Sequence, residues 1–454
     1  SEAGKEQGAT SATAGQPLVP GALGLLTVYL VLLLAVPSSV RIAALGSLGR
    51  PSLLWGVLIF GAWLLWRLQA TPGDLSVARQ PVRLAFFALF AVALVSLAAA
   101  LLRGQPPDQV SPAVTSVIRL LSWSGPLLCA MDGLRTRADV FTMVRRVALA
   151  GGLLAAFGLL QFVSGQSLLD WVRSIPGLEV EAESGVAIRG AFTRASGTAI
   201  HPLEHATALA AAVPLAMAMA IIGRKRWGER DRSRIGWWAV AVIGLGSVLA
   251  VSRSAVIGLG VAVLATIPAL PKRLRAVLIG SGVAMAAVAV AVLPGLMGTV
   301  VGLFAPSGDA SIQSRTDALA RVPEFLRTSP VYGTGFGTFL PRYYIFDNAW
   351  VLILVELGTL GVLAFAALFA FSMASGARAA SGSSDHDWQL LARALAASVL
   401  TIAVCFAFFD GLSFPIAAGL AFLLFGVCGA VRAIATEEGT QRQSEDSESA
   451  ILSP

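Results

Sequence analysis

Three short stretches of this 454-residue chain carry the residues best suited to chemistry, and all three are built around arginine. In GVAIRGAFTRASGTAIHPLEH, Arg189 and Arg194 precede a Ser-Gly-Thr turn, and His201-Pro202 then opens an apolar run. A guanidinium carries a fixed charge and a planar fork of donors that matches phosphate oxygens, so the pattern suits an anion site at the mouth of a helix. The same arginines could instead meet lipid headgroups or the nearby Glu179, Glu181 and Glu183. The second stretch, AVSRSAVIG, sets Arg253 between Ser252 and Ser254 in a very short turn between two apolar runs. An arginine so close to hydrocarbon costs roughly 2.5–3.5 kcal/mol at a helix centre and less near the interface, which argues for a functional reason. The third, SIQSRTDALARVPEFLRTSPVYGTGFGTF, places Arg315, Asp317, Arg321 and Arg327 at helical spacings. They fall on an amphipathic segment, Ile312–Arg327, able to lie along a membrane surface. Its YGTGFGTF resembles a nucleotide-binding glycine loop in composition only. No strand–turn–helix unit surrounds it, so the glycines read as turn formers.

The elements that must position these residues are membrane helices. The chain is 56% hydrophobic and 13% charged, with a mean hydropathy of +0.76; ordinary soluble domains are about 25% charged. Apolar stretches recur from Leu18 to Val431, each long enough to cross a ~30 Å hydrocarbon core as a helix of roughly 20 residues. Barrel strands would alternate polar and apolar residues, whereas Leu84–Leu102 is apolar all round. The expected fold is therefore an all-α, polytopic transmembrane helical bundle of about twelve spans. Spans are expected near 18–37, 52–66, 84–102, 113–131, 147–164 and 203–223, then near 236–251, 254–270, 276–297, 349–373, 390–408 and 413–431. Residues 1–17 read as a disordered polar tail with no signal peptide ahead of the first span, residues 18–431 as the membrane domain, and residues 432–454 as an acidic, Ser-rich tail.

Charge orients the bundle. With both termini cytoplasmic, most of the 33 basic residues fall on the inner side, including the run from Arg224 to Arg234. Short outer loops hold only Arg41, Arg50, Arg103 and Arg253. The net charge of +7 is thus a topology signal and does not argue for nucleic acid. Two outer loops, about 165–202 and 298–348, are much longer than the other connections, are expected to carry short helices, and hold most of the outward charge, as functional loops do. Two clear charges lie inside spans, Arg119 and Glu356. Cys129, Cys405 and Cys428 also fall within spans, with no metal-ligand or disulfide spacing, and read as packing residues.

The pieces RASGTAIHP, SRSAVIG, SRTDALARVPEFLRTSPVYGTGFGTF and DNAWVLILVELGTLG resemble, in order and spacing, the O-antigen polymerase/ligase family; the resemblance covers roughly residues 185–370. The family's usual His-Asn is Asp347-Asn348 here, and Leu203 stands where an Asn usually follows the His-Pro. In the ligases that His is central to catalysis, so its replacement favours a polymerase, with a ligase as the alternative. The resemblance implies a membrane glycosyltransferase of the GT-C type in the bacterial cytoplasmic membrane. It would take a lipid-linked oligosaccharide on undecaprenyl pyrophosphate, act at the outer face, invert the anomeric centre and use no metal or other cofactor. Membrane lipids and envelope-assembly proteins are the expected partners. In that frame Arg189, Arg194, Arg253, Arg315 and Asn348 are candidate pyrophosphate and glycan contacts. Asp347 is the positional candidate for the base, followed by His201, with Glu204 and Asp317 in reserve. The competing classes are a lipid or glycan flippase, which would place buried charges on interrupted helices, and a non-catalytic envelope scaffold.

Overall fold

A computed structural model describes residues 21–69, 80–104, 106–180, 187–189, 192–226, 233–250, 253–270, 272–277, 279–280, 283, 310–327 and 329–452. The chain is a helical bundle. Its main helices are α1 (Ala22–Leu34), α2 (Pro51–Gln69), α3 (Pro81–Leu102), α4 (Pro107–Gly133), α5 (Arg137–Ser164) and α6 (Pro202–Arg226). They are followed by α7 (Ser233–Leu249), α8 (Arg253–Thr266), α9 (Ala310–Leu326), α10 (Ala349–Ser381), α11 (His386–Cys405) and α12 (Pro415–Leu452). Starts and stops follow local chemistry. Proline opens α2, α3, α4, α6 and α12, where its missing N–H costs nothing. Thr136 and Asp139 form a reciprocal cap on α5. The side chains of Asn348 and Asp385 cap α10 and α11.

Among the described residues eight helices are long and apolar enough to cross a membrane, and Ala22–Leu34, Trp237–Leu249 and Ser254–Ala269 are shorter apolar helices at three further expected positions. The protein is a multi-pass membrane protein. The expected span at 276–297 lies for most of its length outside the described residues, as do residues 1–17. Helices α6 and α12 are the most enclosed. Around α12 pack α4, α10, α11 and α6, while α6 in turn meets α5, α7 and α8. Aromatic rings fill the centre: Phe369 meets Phe425 edge-on at 4.8 Å and Phe406 at 6.1 Å between centroids.

Two differences from the sequence-based expectation concern the loops and the tail. The first long loop carries short strands as well as a 3₁₀ turn, Asp170–Ser174. Strand β1 (Val40–Ile42) pairs antiparallel with β2 (Leu178–Val180), and β3 (Ala187–Arg189) with β4 (Phe192–Arg194). The acidic, Ser-rich segment from Glu437, which composition reads as a disordered tail, prolongs α12 as helix to Leu452. Its first turns are held by ion pairs, since Arg137 bonds Glu438 and Asp385, and Arg135 lies 3.8 Å from Glu437. At this same end Asp132 accepts hydrogen bonds from Trp63 (2.8 Å) and Arg83, with Arg67 3.8 Å away. The long loops gather at the opposite end.

The break in α10 is the feature that shapes the loop-rich end. Gly358 has φ 68° and ψ −166°, a conformation essentially restricted to glycine, and the helix is interrupted there. The freed backbone groups are satisfied by the loop 329–339. Thr334 and Gly335 N–H donate to the Val355 and Glu356 carbonyls (both 3.0 Å). Thr359 and Leu360 N–H donate to the carbonyls of Pro330 (2.9 Å) and Val331 (3.1 Å). A β-carbon on Gly333 would overlap the Glu356 carbonyl, and one on Gly358 would overlap Val331. Arg103 clamps the same loop from outside, donating to Ser329 Oγ (2.7 Å) and the Gly333 carbonyl (3.1 Å). In a bilayer such a break persists only where protein fills it. Gly358→Ala should therefore cost about 1–3 kcal/mol for the backbone conformation alone, and more with the overlap. A thermal-unfolding scan of the purified variant should show a lowered Tm; an unchanged Tm would mean that the break is not held as described.

Candidate active site

At the loop-rich end the bundle encloses a cavity of about 370 Å³. Five elements line it: the first part of α4, the loop 336–347, the first turns of α10, the turn between α11 and α12, and Ser47 of the 3₁₀ turn Ala43–Leu48. Each of the first four contributes one charged side chain, in order Arg119, Asp347, Glu356 and Asp410. Trp123, Phe336, Phe339 and Tyr344 form the apolar part of the wall, and Ser111, Thr115, Ser116 and Ser413 supply hydroxyls. A second, smaller cavity shares Arg119, Trp123 and Ser413 and reaches Arg50.

Local structure explains how these groups come together. Asp347 has φ 46°, one of two left-handed non-glycine residues among those described, and it directly precedes the Asn348 cap of α10. Asp tolerates this region better than most residues, yet the conformation is uncommon and such outliers cluster at functional sites. Its side chain is exposed. Glu356, by contrast, is buried just before the break in α10 and accepts from the N–H groups of Phe339 (3.2 Å) and Gly337. The break thus presents a carboxyl and closes over it with the glycine-rich loop. Asp410 accepts from Ser413 Oγ through Oδ2, while its enclosed Oδ1 has no hydrogen-bond partner among the described residues. Burial pushes the Asp410 carboxyl above the usual carboxylate range, opposed by hydrogen bonds from Ser413 and Leu412 and by the charge of Arg119. Asp410 and Glu356 are near enough to act on each other electrostatically.

Helix α9 supports this wall from the outside. Val322 buries against Phe346 and Val355, and Phe325 meets Phe339 edge-on with centroids 4.9 Å apart. The amphipathic segment expected at a membrane surface is therefore a helix docked on α10 and the cavity loop, with Asp317 and Leu319 left exposed.

The other expected residues take different places. The Ser-Gly-Thr turn is pinned between helices: Gln161 of α5 bonds both N–H (2.7 Å) and C=O (3.0 Å) of Gly197, and Thr198 Oγ1 donates to the Leu34 carbonyl (2.7 Å). Arg194 and Arg189 precede that turn on β4 and β3, Arg253 opens α8, and Arg315 sits in α9. The side chains of these four arginines lie outside what the structure describes. His201 does not line the cavity; its Nδ1 accepts from Leu203 N–H (3.1 Å) and its ring packs on Phe414. Asn348 Oδ1 is committed to the cap, accepting from Trp350 (3.0 Å) and Val351 (3.2 Å) N–H.

Glu204, held in reserve as a base, is fully buried. It accepts from Ile416 N–H (2.6 Å), Ile200 N–H (2.9 Å) and Ser38 Oγ (3.3 Å), joining α6 to the start of α12. These contacts tie Glu204 to the packing of α6 against α12. Sequence reasoning did not consider Asp410 at all. A lone acid in the apolar turn CFAFFDGLSFP was the available signal. Arg119 and Glu356 were noticed as intramembrane charges without being joined to Asp347.

A polytopic helical bundle with a charged, aromatic-walled cavity at its loop-rich end defines an integral membrane protein with a candidate site at one end of the bundle. Residues 238–366 match the model of the family described as O-antigen ligase, so this segment is similar to that family. Members of that family are membrane glycosyltransferase-like enzymes acting on lipid-linked glycans. No curated protein matches the chain significantly. The matched segment contains Arg253, Arg315, Asp347 and Glu356, whereas Arg119 and Asp410 come from outside it.

Proposed function

We propose that this protein elongates a polysaccharide at the outer face of the bacterial cytoplasmic membrane, using a glycan carried on undecaprenyl pyrophosphate as donor, without a metal and with inversion. The observation that carries the reading is Asp347 in a left-handed backbone at a cavity beneath the long loops, within the segment matched by the family. Inversion needs one displacement: the acceptor hydroxyl attacks the anomeric carbon, its proton passes to a base, and the pyrophosphate departs with the bonding electron pair. Asp347 is the group placed to accept the proton. Arg189, Arg194, Arg253 and Arg315, on β3, β4, α8 and α9, are the group to hold the pyrophosphate, because arginine keeps its charge at any working pH. The outward orientation rests on the opposite end of the bundle, where Arg67, Arg83, Arg135 and Arg137 meet the acidic residues.

A ligase reading has one observation in its favour, the description of the matched family. Against a flippase stands the way the α10 break is closed. Its freed carbonyls and N–H groups bond the chain's own loop, whereas a transport site would leave them to an ion or substrate. Reconstitution into liposomes with undecaprenyl-linked oligosaccharide separates the readings by product length. A ladder of elongated glycan, formed equally with a chelator present, is the expected result. Transfer of single units only to a different acceptor lipid would make it a ligase, and translocation without bond formation would overturn glycan transfer altogether.

A further inference from the structure

We propose that the 370 Å³ cavity is an acceptor subsite that takes the hydroxyl-bearing end of a non-acidic saccharide and excludes the donor's pyrophosphate. The assignment rests on the glycan-transfer reading above and adds to it a division of the site into two parts.

Charge is the first argument. A pyrophosphate site requires cations and donors in excess of anions. The only basic side chain on the cavity wall, among the described residues, is Arg119, and Asp410 acts on it directly. Asp347 and Glu356 face the same space. Asp410 offsets Arg119 and the exposed Asp347 carboxyl lies on the same wall, so the cavity offers no excess of cations to a multiply charged anion, an anionic sugar included. The arginines suited to pyrophosphate are carried by other elements, β3, β4, α8 and α9.

The second argument is chemical fit. A sugar offers hydroxyls that both donate and accept, on a ring whose faces are lined with C–H. The hydroxyls of Ser111, Ser116 and Ser413 give and take hydrogen bonds. Trp123 and Tyr344 supply rigid amphipathic surface against which a ring can lie. The volume falls near the lower end of the roughly 300–1,000 Å³ typical of small-ligand pockets, which suits a terminal saccharide unit rather than a long oligosaccharide. Asp347, on the same wall, is then beside the hydroxyl it would deprotonate.

Cysteine chemistry reads this without turnover. Ser116→Cys and, separately, Ser111→Cys place a thiol on the wall with little change in volume; the three native cysteines are buried, so the unsubstituted protein reports the background. Modification rates are compared for a cationic and an anionic methanethiosulfonate of similar size, each scaled to free cysteine. A cation preference of about tenfold is expected from the exposed Asp347 on a wall whose one guanidinium is offset by Asp410. Methyl glucoside and glucosamine should slow modification, while glucuronate and inorganic pyrophosphate should leave it unchanged. A preference for the anionic reagent, protection by pyrophosphate, or no protection by either sugar, seen in both variants, would overturn the assignment. Because the readout is a labelling rate, it can fail while the reconstituted protein still forms glycan, and can succeed where no glycan forms.

Discussion

Asp347→Asn should lower glycan transfer by roughly 10²–10⁴-fold, the range for loss of a positioned general base. The substitution is chosen for the backbone. Asn occupies the left-handed region as readily as Asp, so φ 46° at this position is retained and the fold should be undisturbed. Size and hydrogen-bonding capacity change little, and the ability to accept a proton is lost. Asp347→His offers the converse test, since histidine also tolerates this region and is what the family usually carries before the Asn. It should keep measurable turnover, with activity falling as pH drops below the imidazole pKa, because only the neutral ring accepts a proton. Initial rates of product formation on reconstituted protein decide the matter. Normal turnover in Asp347→Asn, with an unchanged Tm, would remove Asp347 as the base and leave Glu356 or Asp410 to be tested in its place.

How much of this was legible beforehand depended on the range of the signal. Spans such as α3 and α10 announce themselves through local hydropathy, which a bilayer makes decisive. Glu356 was equally visible, as a lone acid in WVLILVELGTLG. What it does there was not, because Gly358 looks like any glycine in a membrane helix. Only the approach of the loop 329–339, with its four backbone hydrogen bonds, reveals the interruption. Pairing of β1 with β2 joins Arg41 to Glu179 across 138 positions, and no local pattern in either segment specifies that partner. The same holds for Arg119 and Asp410: each is conspicuous in its own apolar run, but their meeting on one cavity wall is a property of how α4 and α12 pack. The helical continuation of α12 is invisible in composition, which there is only acidic and Ser-rich. Its first acidic residues, Glu437 and Glu438, have arginine partners on the connection before α5 and at its start.

The second large effect is expected at Arg253. It is the first residue of α8, so the backbone places it at the loop-rich end, at the N-terminus of that helix, where the helix dipole favours an anion. It also lies inside the family match. If it stabilises the departing pyrophosphate, Arg253→Ala should reduce turnover by about 10²–10³, the usual cost of removing one preorganised electrostatic group from a transition state. Arg253→Lys should recover only part of this, since a point charge replaces a two-pronged fork. The matched control is Arg41→Ala. Arg41 is another arginine at this end, and its ion pair with the exposed Glu179 (3.1 Å) is worth no more than about 1 kcal/mol. That variant should transfer glycan at close to the normal rate. The comparison uses initial rates at equal amounts of folded protein in liposomes. Full recovery by lysine would reduce the role of Arg253 to simple charge, and normal turnover in Arg253→Ala would take α8 out of the pyrophosphate site, leaving β3, β4 and α9 to hold the leaving group.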